Sequence, residues 1–313
     1  MSELSITATE LETVPHGGGG PDKVVKLGSA KGGWFRQVGW RHIVGIIALI
    51  FAIFPILFVV SAAFNPLGTL SSSSLIPRNA STENFTKLFE TTSFWRWFGN
   101  SIVIAIVSSV LSLFISACAA FAFSRYRFKG RRTGMLFILL VQMFPQFLAI
   151  VAIYLMFVTI SDLYPAIGFN TDWGLILLFM GGALGVNTWL MKGFFDTIPK
   201  DLDESAKVDG ATHPQIFFGI ILPLVAPILA VTGLLAFIGV MSEFIISSTF
   251  LTQDSAKTAA VGLYGLISSP QTRNTNFGVF SAGAIIVAIP IVALFQFLQR
   301  YIVGGMTAGA VKG

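Results

Sequence analysis

The sequence predicts an all-α integral membrane protein with six transmembrane helices. Of its residues, 54% are hydrophobic and only 11% are charged, and the mean hydropathy is +0.78. Soluble globular domains carry about 25% charged residues, so a lipid bilayer is the expected environment. The long apolar runs show no alternation of apolar and polar residues, and a helix bonds its backbone groups within its own segment. An α-helical bundle is therefore predicted.

Six apolar runs have roughly the length of about 20 residues that a helix needs to cross a bilayer. They lie at residues 43–64, 101–123, 135–160, 174–190, 225–250 and 277–298. Proline removes a backbone donor and bends a helix when it lies inside one. Four of the runs are therefore expected to be kinked, at Pro55, Pro145, Pro227 and Pro290.

The first 42 residues are expected to form a disordered tail. They contain four consecutive glycines at residues 17–20 together with several serines and threonines, a composition typical of segments that cannot bury a core. The extreme N-terminus carries acidic residues before its first lysine, so it lacks the basic region of a signal peptide.

The positions of lysine and arginine predict the orientation in the membrane. With the N-terminus in the cytoplasm, 15 of the 20 lysines and arginines fall on the cytoplasmic side, as expected from their enrichment in cytoplasmic loops. The densest cluster, residues 125–132, is interpreted as a topology signal that binds no ligand. Both termini are therefore predicted to be cytoplasmic.

The polar segment at residues 200–223 lies between the fourth and fifth predicted spans, on the predicted cytoplasmic side. Asp201 and Glu204 have the spacing of a capping box for a short helix that extends to about Val208. Gly210 supplies the expected stop, because glycine accepts the left-handed conformation at a helix end.

A second short helix is predicted directly after this stop. Thr212 and Gln215 again have capping-box spacing, and Pro214 falls in the first turn, where its missing donor is tolerated. The residues alone thus predict two short helices joined by a tight turn.

This segment resembles the EAA motif of binding-protein-dependent ABC importer permeases. The family pattern is E-A-A-x-x-D-G-A, then five variable residues, then F-x-x-I-x-L-P, and only Ser205 departs from it. The resemblance implies a coupling loop whose first helix docks on a separate ATPase subunit. The candidate ATPase-coupling residues are Glu204, Ser205, Ala206, Asp209, Gly210, Ala211, Phe217 and Pro223.

Other segments resemble the MalG-like permeases of maltose importers, namely residues 142–145, 168–171 and 305–313. The resemblance implies a type I ABC importer permease fold. It implies a permease core at 97–300 and a cytoplasmic tail at 301–313. These follow the disordered cytoplasmic tail at 1–42 and the first transmembrane helix at 43–64, which the composition and the apolar runs predict. That C-terminal tail is expected to contact the ATPase through Thr307, Ala308, Gly309 and Lys312.

The resemblance also implies an assembly in the bacterial inner membrane that imports sugar, with maltose or maltodextrin as the first expected substrate. The expected partners are a second, MalF-like permease subunit, two MalK-like ATPase subunits, an extracytoplasmic sugar-binding protein and membrane lipid, with no nucleic acid. Trehalose or another oligosaccharide is the alternative substrate. An ion-coupled secondary transporter and an intramembrane enzyme are the alternative classes.

The segment at 251–276 matches the place where MalG-like permeases project a loop into the sugar-binding protein. Its serine, threonine and asparagine content also fits an ordinary solvated loop, and the sequence leaves both interpretations open.

The chain is not expected to be an enzyme. It has no GxxxxGK[ST] loop to hold the phosphates of ATP and no HExxH or GxSxG motif. Its three histidines are far apart and its single cysteine, Cys118, cannot form an internal disulfide. We therefore expect no catalytic, cofactor-binding or metal-binding residues, and we expect ATP and Mg²⁺ on the partner subunits.

Three polar residues within the predicted spans are candidates for the transport pathway: Glu243, Asn187 and Gln142. Glu243 is acidic. Because an isolated charge in hydrocarbon is costly, an acidic residue within a span is a candidate for a functional role. Glu243 is expected to line the pathway or to support an outer gate, with a structural hydrogen bond or a place near the outer interface as alternatives. Bonds between helices are the alternative for Asn187 and Gln142.

Overall fold

A computed structural model describes residues 38–72, 76–77 and 79–310, and within these ranges all the regular structure is helical. The chain divides into two compact units, residues 1–51 and residues 52–313. In the first unit the described residues form the start of the first helix, which begins at Trp40. The predicted tail at 1–42 therefore lies mostly outside the described residues.

In order along the described chain, the helices are α1 (Trp40–Ala63), α2 (Glu83–Thr91), α3 (Phe94–Arg125), α4 (Arg131–Gln142), α5 (Gln146–Leu163), α6 (Asp172–Gly181), α7 (Val186–Asp196), α8 (Asp201–Val208), α9 (His213–Ile216), α10 (Leu222–Leu224), α11 (Ala226–Ser242), α12 (Ile245–Phe250), α13 (Ala259–Leu266), α14 (Pro270–Thr275) and α15 (Phe277–Ala310). Short 3₁₀ turns occupy Leu70–Ser72, Pro165–Ile167 and Asp254–Ala256, and a π-helical turn at Phe217–Ile221 joins α9 to α10.

Three of the described helices are individually long and apolar enough to cross a membrane: α1, α3 and the Phe277–Ile302 part of α15. Two more spans arise only if bent segments are joined. These are α6 with α7, bent by 55°, and His213–Leu224 with α11, bent by 80°. The described residues thus give three to five spans. The all-helical membrane fold is confirmed, but the predicted number of six is not reproduced exactly.

The predicted span at 135–160 is wrong as a single helix. The structure ends α4 at Gln142 and begins α5 at Gln146, with Pro145 as the residue just before α5. Proline cannot donate a helical hydrogen bond, but it suits a helix start, where that donor would be unpaired anyway. Pro145 therefore separates two helices instead of kinking one.

The remaining three prolines differ in their positions. Pro55 and Pro290 lie inside α1 and α15, as predicted. Pro227 lies in the first turn of α11, directly after the 80° bend that separates His213–Leu224 from α11, so it lies at a break between helices and not inside one as predicted. The predicted span at 225–250 is broken at Glu243, between α11 and α12.

The helix α3 has the most extensive packing in the bundle, since it contacts α6, α7, α11 and α13. Its buried face consists largely of small side chains. Buried serines and alanines on it are Ser101, Ala105, Ser108, Ser109, Ser112, Ser116, Ala117, Ala120 and Ser124. Small residues let helix backbones approach closely in lipid, where packing rather than the hydrophobic effect drives association.

The 251–276 loop is packed against the start of α3. Ser93 Oγ donates to Asp254 Oδ2 at 2.6 Å, and Trp97 Nε1 donates to the Asp254 carbonyl at 3.0 Å. Asn100 Nδ2 donates to two further loop carbonyls, each at 3.0 Å. The hydrogen bond from Ser93 is the main cause of a lowered pKa of the Asp254 carboxyl. The loop is thus an ordered element of the fold, and both interpretations of its role stay predictions.

We expect Gly262→Ala to destabilise this packing, because a Cβ at Gly262 would lie 2.2 Å from ring carbons of Trp97. Overpacking of this kind costs about 1–3 kcal/mol. The matched control is Gly265→Ala in the same helix, where a Cβ would meet nothing within 4 Å. Thermal unfolding in detergent, followed by tryptophan fluorescence, should show a lower melting temperature for the first variant only. Equal melting temperatures would contradict the packing described here.

Candidate functional site

The turn between α8 and α9 is a Schellman motif. Gly210 N donates to the Lys207 carbonyl at 3.0 Å, and Ala211 N donates to the Ala206 carbonyl at 2.9 Å. Gly210 has φ = +83°, a left-handed conformation that costs other residues about 1–2 kcal/mol. The predicted stop at Gly210 is confirmed, and the motif fixes the direction of the chain after α8.

The start of α8 differs from the prediction. Lys200 is the capping residue, and its carbonyl accepts the N–H groups of Asp203 and Glu204 at 2.9 and 3.0 Å. Asp201 is the first residue inside the helix, so the predicted capping box of Asp201 and Glu204 is wrong. The acidic side chains of the first turn instead lie near the positive end of the helix dipole, which they stabilise.

The predicted start of the second helix is confirmed. Thr212 N donates to Gln215 Oε1 at 2.8 Å, and the Thr212 hydroxyl donates to the same oxygen at 2.9 Å. Pro214 lies in the first turn of α9. Local signals therefore define both the end of α8 and the beginning of α9.

The inner face of α8 is attached to α3 by a buried ion pair. Arg125 Nε lies 2.7 Å from Asp203 Oδ2, and the two side chains are 5% and 8% exposed. A second guanidinium nitrogen of Arg125 donates to the Ile198 carbonyl at 3.2 Å. Arg125 therefore has structural partners within the chain, whereas the interpretation of the 125–132 cluster as a topology signal that binds no ligand stays a prediction. The sequence contains both charges but gives no sign that they pair, because they are far apart along the chain.

The predicted coupling residues fall into two groups. Glu204, Ser205, Asp209, Gly210 and Pro223 are exposed. By contrast, the structure packs Ala206, Ala211 and Phe217 against the chain's own core, in a cluster that also holds Phe121 and Phe195. Within the exposed group, Glu204 and Ser205 lie on α8 and Asp209 directly follows it. Their two carboxylates are groups that a partner's arginine can bind through charge-assisted hydrogen bonds.

A small cavity of about 80 Å³ lies beside α8. Its lining includes the buried pair together with Lys200, Glu204, Lys207 and His213. Its size suits a few water molecules rather than an organic ligand.

Glu243 lies in the break between α11 and α12. One of its carboxylate oxygens accepts the N–H of Ile246 at 2.7 Å, and the other accepts the N–H and hydroxyl of Ser247 at 2.9 and 2.8 Å. It therefore caps the start of α12, and of the interpretations left open, the structural hydrogen bond is the one the structure shows. A role in the pathway stays a prediction.

The other two pathway candidates lie near the break between α6 and α7. A Cβ on Gly185 would lie 2.4 Å from Gln142 Nε2, so the Gln142 amide packs closely against this break. Asn187 is half-buried in the first turn of α7. The structure brings these two parts of the chain together, whereas Glu243 lies in a different helix break.

Of the predicted C-terminal contact residues, Thr307, Ala308 and Gly309 lie in the last turns of α15, which continues to Ala310. Lys312 lies outside the described residues. The boundary predicted at residue 301 is therefore not a helix end.

Asn170 is a structural residue that the sequence analysis missed. It has φ = 58°, and its Oδ1 accepts the N–H groups of Thr252 and Gln253 at 2.7 and 2.8 Å. Asn170 N in turn donates to the Phe250 carbonyl at 3.0 Å. The connection between α5 and α6 is thereby joined to the start of the 251–276 loop. The available signal was the short Gly-Phe-Asn-Thr sequence, since asparagine is enriched at positive φ.

These features define a class: a polytopic α-helical membrane protein with broken spans and a projecting two-helix loop. Residues 112–308 match the family described as "Binding-protein-dependent transport system inner membrane component". The chain belongs to this family and is therefore a permease component of the inner membrane. The predicted family is confirmed, and the ion-coupled and enzymatic alternatives are not supported.

Curated relatives cover most of the chain. It is 40% identical over 264 residues to the galactooligosaccharides transport system permease protein GanQ of Bacillus subtilis (strain 168). This alignment covers 83% of this chain and 90% of that protein. It is 39% identical over 279 residues to the maltodextrin transport system permease protein MalD of Streptococcus pneumoniae (strain ATCC BAA-255 / R6), covering 89% and 96%. It is also 39% identical over 274 residues to the maltose/maltodextrin transport system permease protein MalG of Vibrio vulnificus (strain YJ016), covering 83% and 91%.

A solved structure shares the fold. The match is to a chain of a bacterial ABC transporter involved in the import of the acidic polysaccharide alginate, with a TM-score of 0.69 and 22% identity. It covers 85% of this chain and 97% of that chain. At this identity the likeness shows the fold alone, and it confirms the predicted fold class.

Proposed function

We propose that the chain is the transmembrane permease subunit of an ATP-driven importer of maltose or maltodextrin. The observation that carries the substrate class is the 39% identity to maltodextrin permeases over 83–89% of the chain. The chain forms the translocation pathway together with a second permease subunit. An extracytoplasmic binding protein delivers the sugar, and two separate ATPase subunits bind ATP and Mg²⁺.

The exposed face of α8 is the proposed docking surface for an ATPase subunit. Glu204 and Asp209 are exposed, and so is the apolar side chain of Val208 at 87%. A carboxylate on such a helix can bind an arginine of the partner, and the apolar group can enter a cleft next to it. Because α8 is joined to the bundle on its other face, a movement imposed on it reaches the membrane spans.

The proposed orientation places the 200–223 loop and both termini in the cytoplasm, with the 251–276 loop outside. The distribution of lysine and arginine supports this orientation. It brings α8 within reach of cytoplasmic ATPase subunits and the 251–276 loop within reach of the binding protein. The end of α15 is then a second surface available to the ATPase subunits.

A galacto-oligosaccharide is the second candidate substrate, because GanQ shares 40% of the aligned residues. Both classes are neutral, hydroxyl-rich oligosaccharides, so the charge balance of this chain does not separate them. Discrimination therefore requires a functional measurement.

We expect maltodextrin to stimulate ATP hydrolysis by the complete complex reconstituted with its binding protein. The matched control is the same complex with a galacto-oligosaccharide at equal concentration. A stimulation of about tenfold in the turnover rate would correspond to about 1.4 kcal/mol of differential stabilisation of the active state. Stimulation by the galacto-oligosaccharide alone would replace the first candidate with the second, and stimulation by neither would contradict both.

We expect an impermeant maleimide to label a cysteine at Val208 only from the cytoplasmic side, in membranes stripped of the ATPase subunits that would otherwise cover this residue. The chain has a single native cysteine, Cys118, so Val208→Cys can be introduced into a Cys118→Ser background that retains uptake. The matched control is Ser268→Cys, at an exposed position in the 251–276 loop, which should react only from outside. Labelling of position 208 from outside intact cells would reverse the proposed orientation.

We expect Glu204→Lys and Gly210→Pro each to reduce sugar uptake by about tenfold or more, with normal membrane insertion. The first places a positive charge against the arginine expected on the ATPase. The second removes the N–H that bonds the Lys207 carbonyl and excludes the φ of +83°.

Two variants serve as controls for these losses. Gly210→Asn should retain most uptake, because asparagine accepts left-handed φ values. Asp162→Lys makes the same charge change at an exposed position of α5 and should have little effect. Full uptake by correctly inserted Gly210→Pro would remove the case for this segment as the coupling element.

A further inference from the structure

The C-terminal end of α3 contacts each part of the 200–223 loop. Arg125 pairs with Asp203 of α8. The ring of Tyr126 lies 5.5 Å from the ring of His213, the first residue of α9. The ring of Phe121 lies 5.0 Å from that of Phe217 in the π-helical turn. One helix end therefore holds α8, α9 and the turn that comes after them.

Of these three contacts, the ion pair is the one made by α8 itself, which also packs Ala206 against the core cluster that contains Phe121. The charges of the pair are almost completely buried, and Arg125 also bonds the carbonyl of Ile198, in the short connection from α7 to α8. A buried charge that loses its partner is strongly destabilised, so the pair resists separation. The link therefore constrains both the position of α8 and the chain that leads into it.

The connection from α8 into the membrane through the chain itself is less direct. It passes through the Gly210 turn, the π-helical turn and an 80° bend before α11. Each of these departures from regular α-helix is a place where a displacement can be absorbed by local bending. A displacement of α8 is therefore transmitted with less loss through a buried contact to a continuous helix than through these irregular segments.

The helix α3 is such a continuous element. It has 32 residues and contains no proline, which gives a length of about 48 Å at about 1.5 Å per residue. The other described spans either contain an interior proline, as in α1 and α15, or are bent at a break. At its other end α3 holds the 251–276 loop through Trp97, Asn100 and Ser101, whose hydroxyl accepts Ala259 N at 2.8 Å.

We propose that Arg125 is a positioning residue that locks α8 to α3, so that α3 carries the movement of α8 to the 251–276 loop. The inference rests on the proposed function, in which an ATPase subunit moves α8. It adds a route within this chain, from the coupling helix along one span to the loop that faces the sugar-binding protein. Arg125 and Asp203 do not contact sugar or nucleotide in this scheme, and they act through the position of α8.

The test compares single variants with a charge exchange in the complete reconstituted complex. The single variants are Arg125→Met and Asp203→Asn, and the exchange combines Arg125→Asp with Asp203→Arg. Arg127→Met is the matched control, because Arg127 is an exposed arginine of the same cluster. Three quantities are measured: co-purification of the ATPase, sugar-stimulated ATP hydrolysis, and the number of sugars imported per ATP hydrolysed.

We expect the single variants to retain the ATPase but to import about tenfold less sugar per ATP. The exchange should restore most of this ratio, and Arg127→Met should leave it unchanged. If the exchanged pair fails to insert, Arg125→Lys provides the rescue instead, because it keeps the charge next to Asp203. A ratio above that of Arg125→Met supports the proposal, and a ratio equal to it contradicts it.

Two results would overturn the proposal. Single variants with a normal ratio would show that α8 acts without the link to α3. Single variants that lose the ATPase entirely, with no recovery in the exchange or in Arg125→Lys, would show that the pair only maintains the fold. A failure of the proposed function itself is distinguishable, because Glu204→Lys, which leaves the buried pair intact, would then also have no effect on uptake.

Discussion

In a bilayer, each backbone N–H and C=O must find a partner within the protein, because lipid offers none. This chain breaks several of its spans, so the breaks need side chains that replace the missing helical bonds. Ser116 of α3 donates to the Ala183 carbonyl in the break between α6 and α7. Glu243 accepts the first free N–H groups of α12. Arg125 donates to the Ile198 carbonyl before α8. Polar residues that look like pathway candidates in the sequence are in part the means by which irregular backbone is tolerated.

The 200–223 loop is packed on the bundle through one face and exposed on the other. Its inward face is made of small and aromatic residues that pack on the bundle, together with one carboxylate, Asp203, that is paired in the interior. Its outward face keeps Glu204 and Asp209 in solvent. A helix held only by its chain connections would not transmit force, and a helix packed on all sides would offer nothing to a partner. This division of the motif residues suits the proposed docking of an ATPase subunit on the outward face, with movement passed to the bundle through the inward face.

Local sequence signals predicted the turn of the 200–223 loop correctly, although the local capping box expected at Asp201 was wrong. The stop at Gly210 and the start at Thr212 depend on residues within one turn, and both were predictable. The apolar runs of α1, α3 and α15 were predictable because span length is set by the bilayer. The pairing of Arg125 with Asp203 was not, because it depends on how α3 and α8 meet in space. Pro145 was predicted to bend a helix, and the structure shows that it separates two helices. Which of these a proline does depends on how the flanking helices pack in the bundle.

The hydrogen bonds and the backbone conformation of Asn170 restrict which residues can occupy its position. Two requirements meet there: a positive φ, which disfavours most side chains, and an oxygen placed to receive the N–H groups of Thr252 and Gln253. Glycine meets only the first requirement. Glutamine and serine supply an oxygen, but not from a side chain that readily accepts this backbone. Asparagine meets both requirements and aspartate comes nearest to doing so. Few other residues are therefore expected to be tolerated at this position. A change there would loosen two connections at once, although neither lies next to the other along the chain.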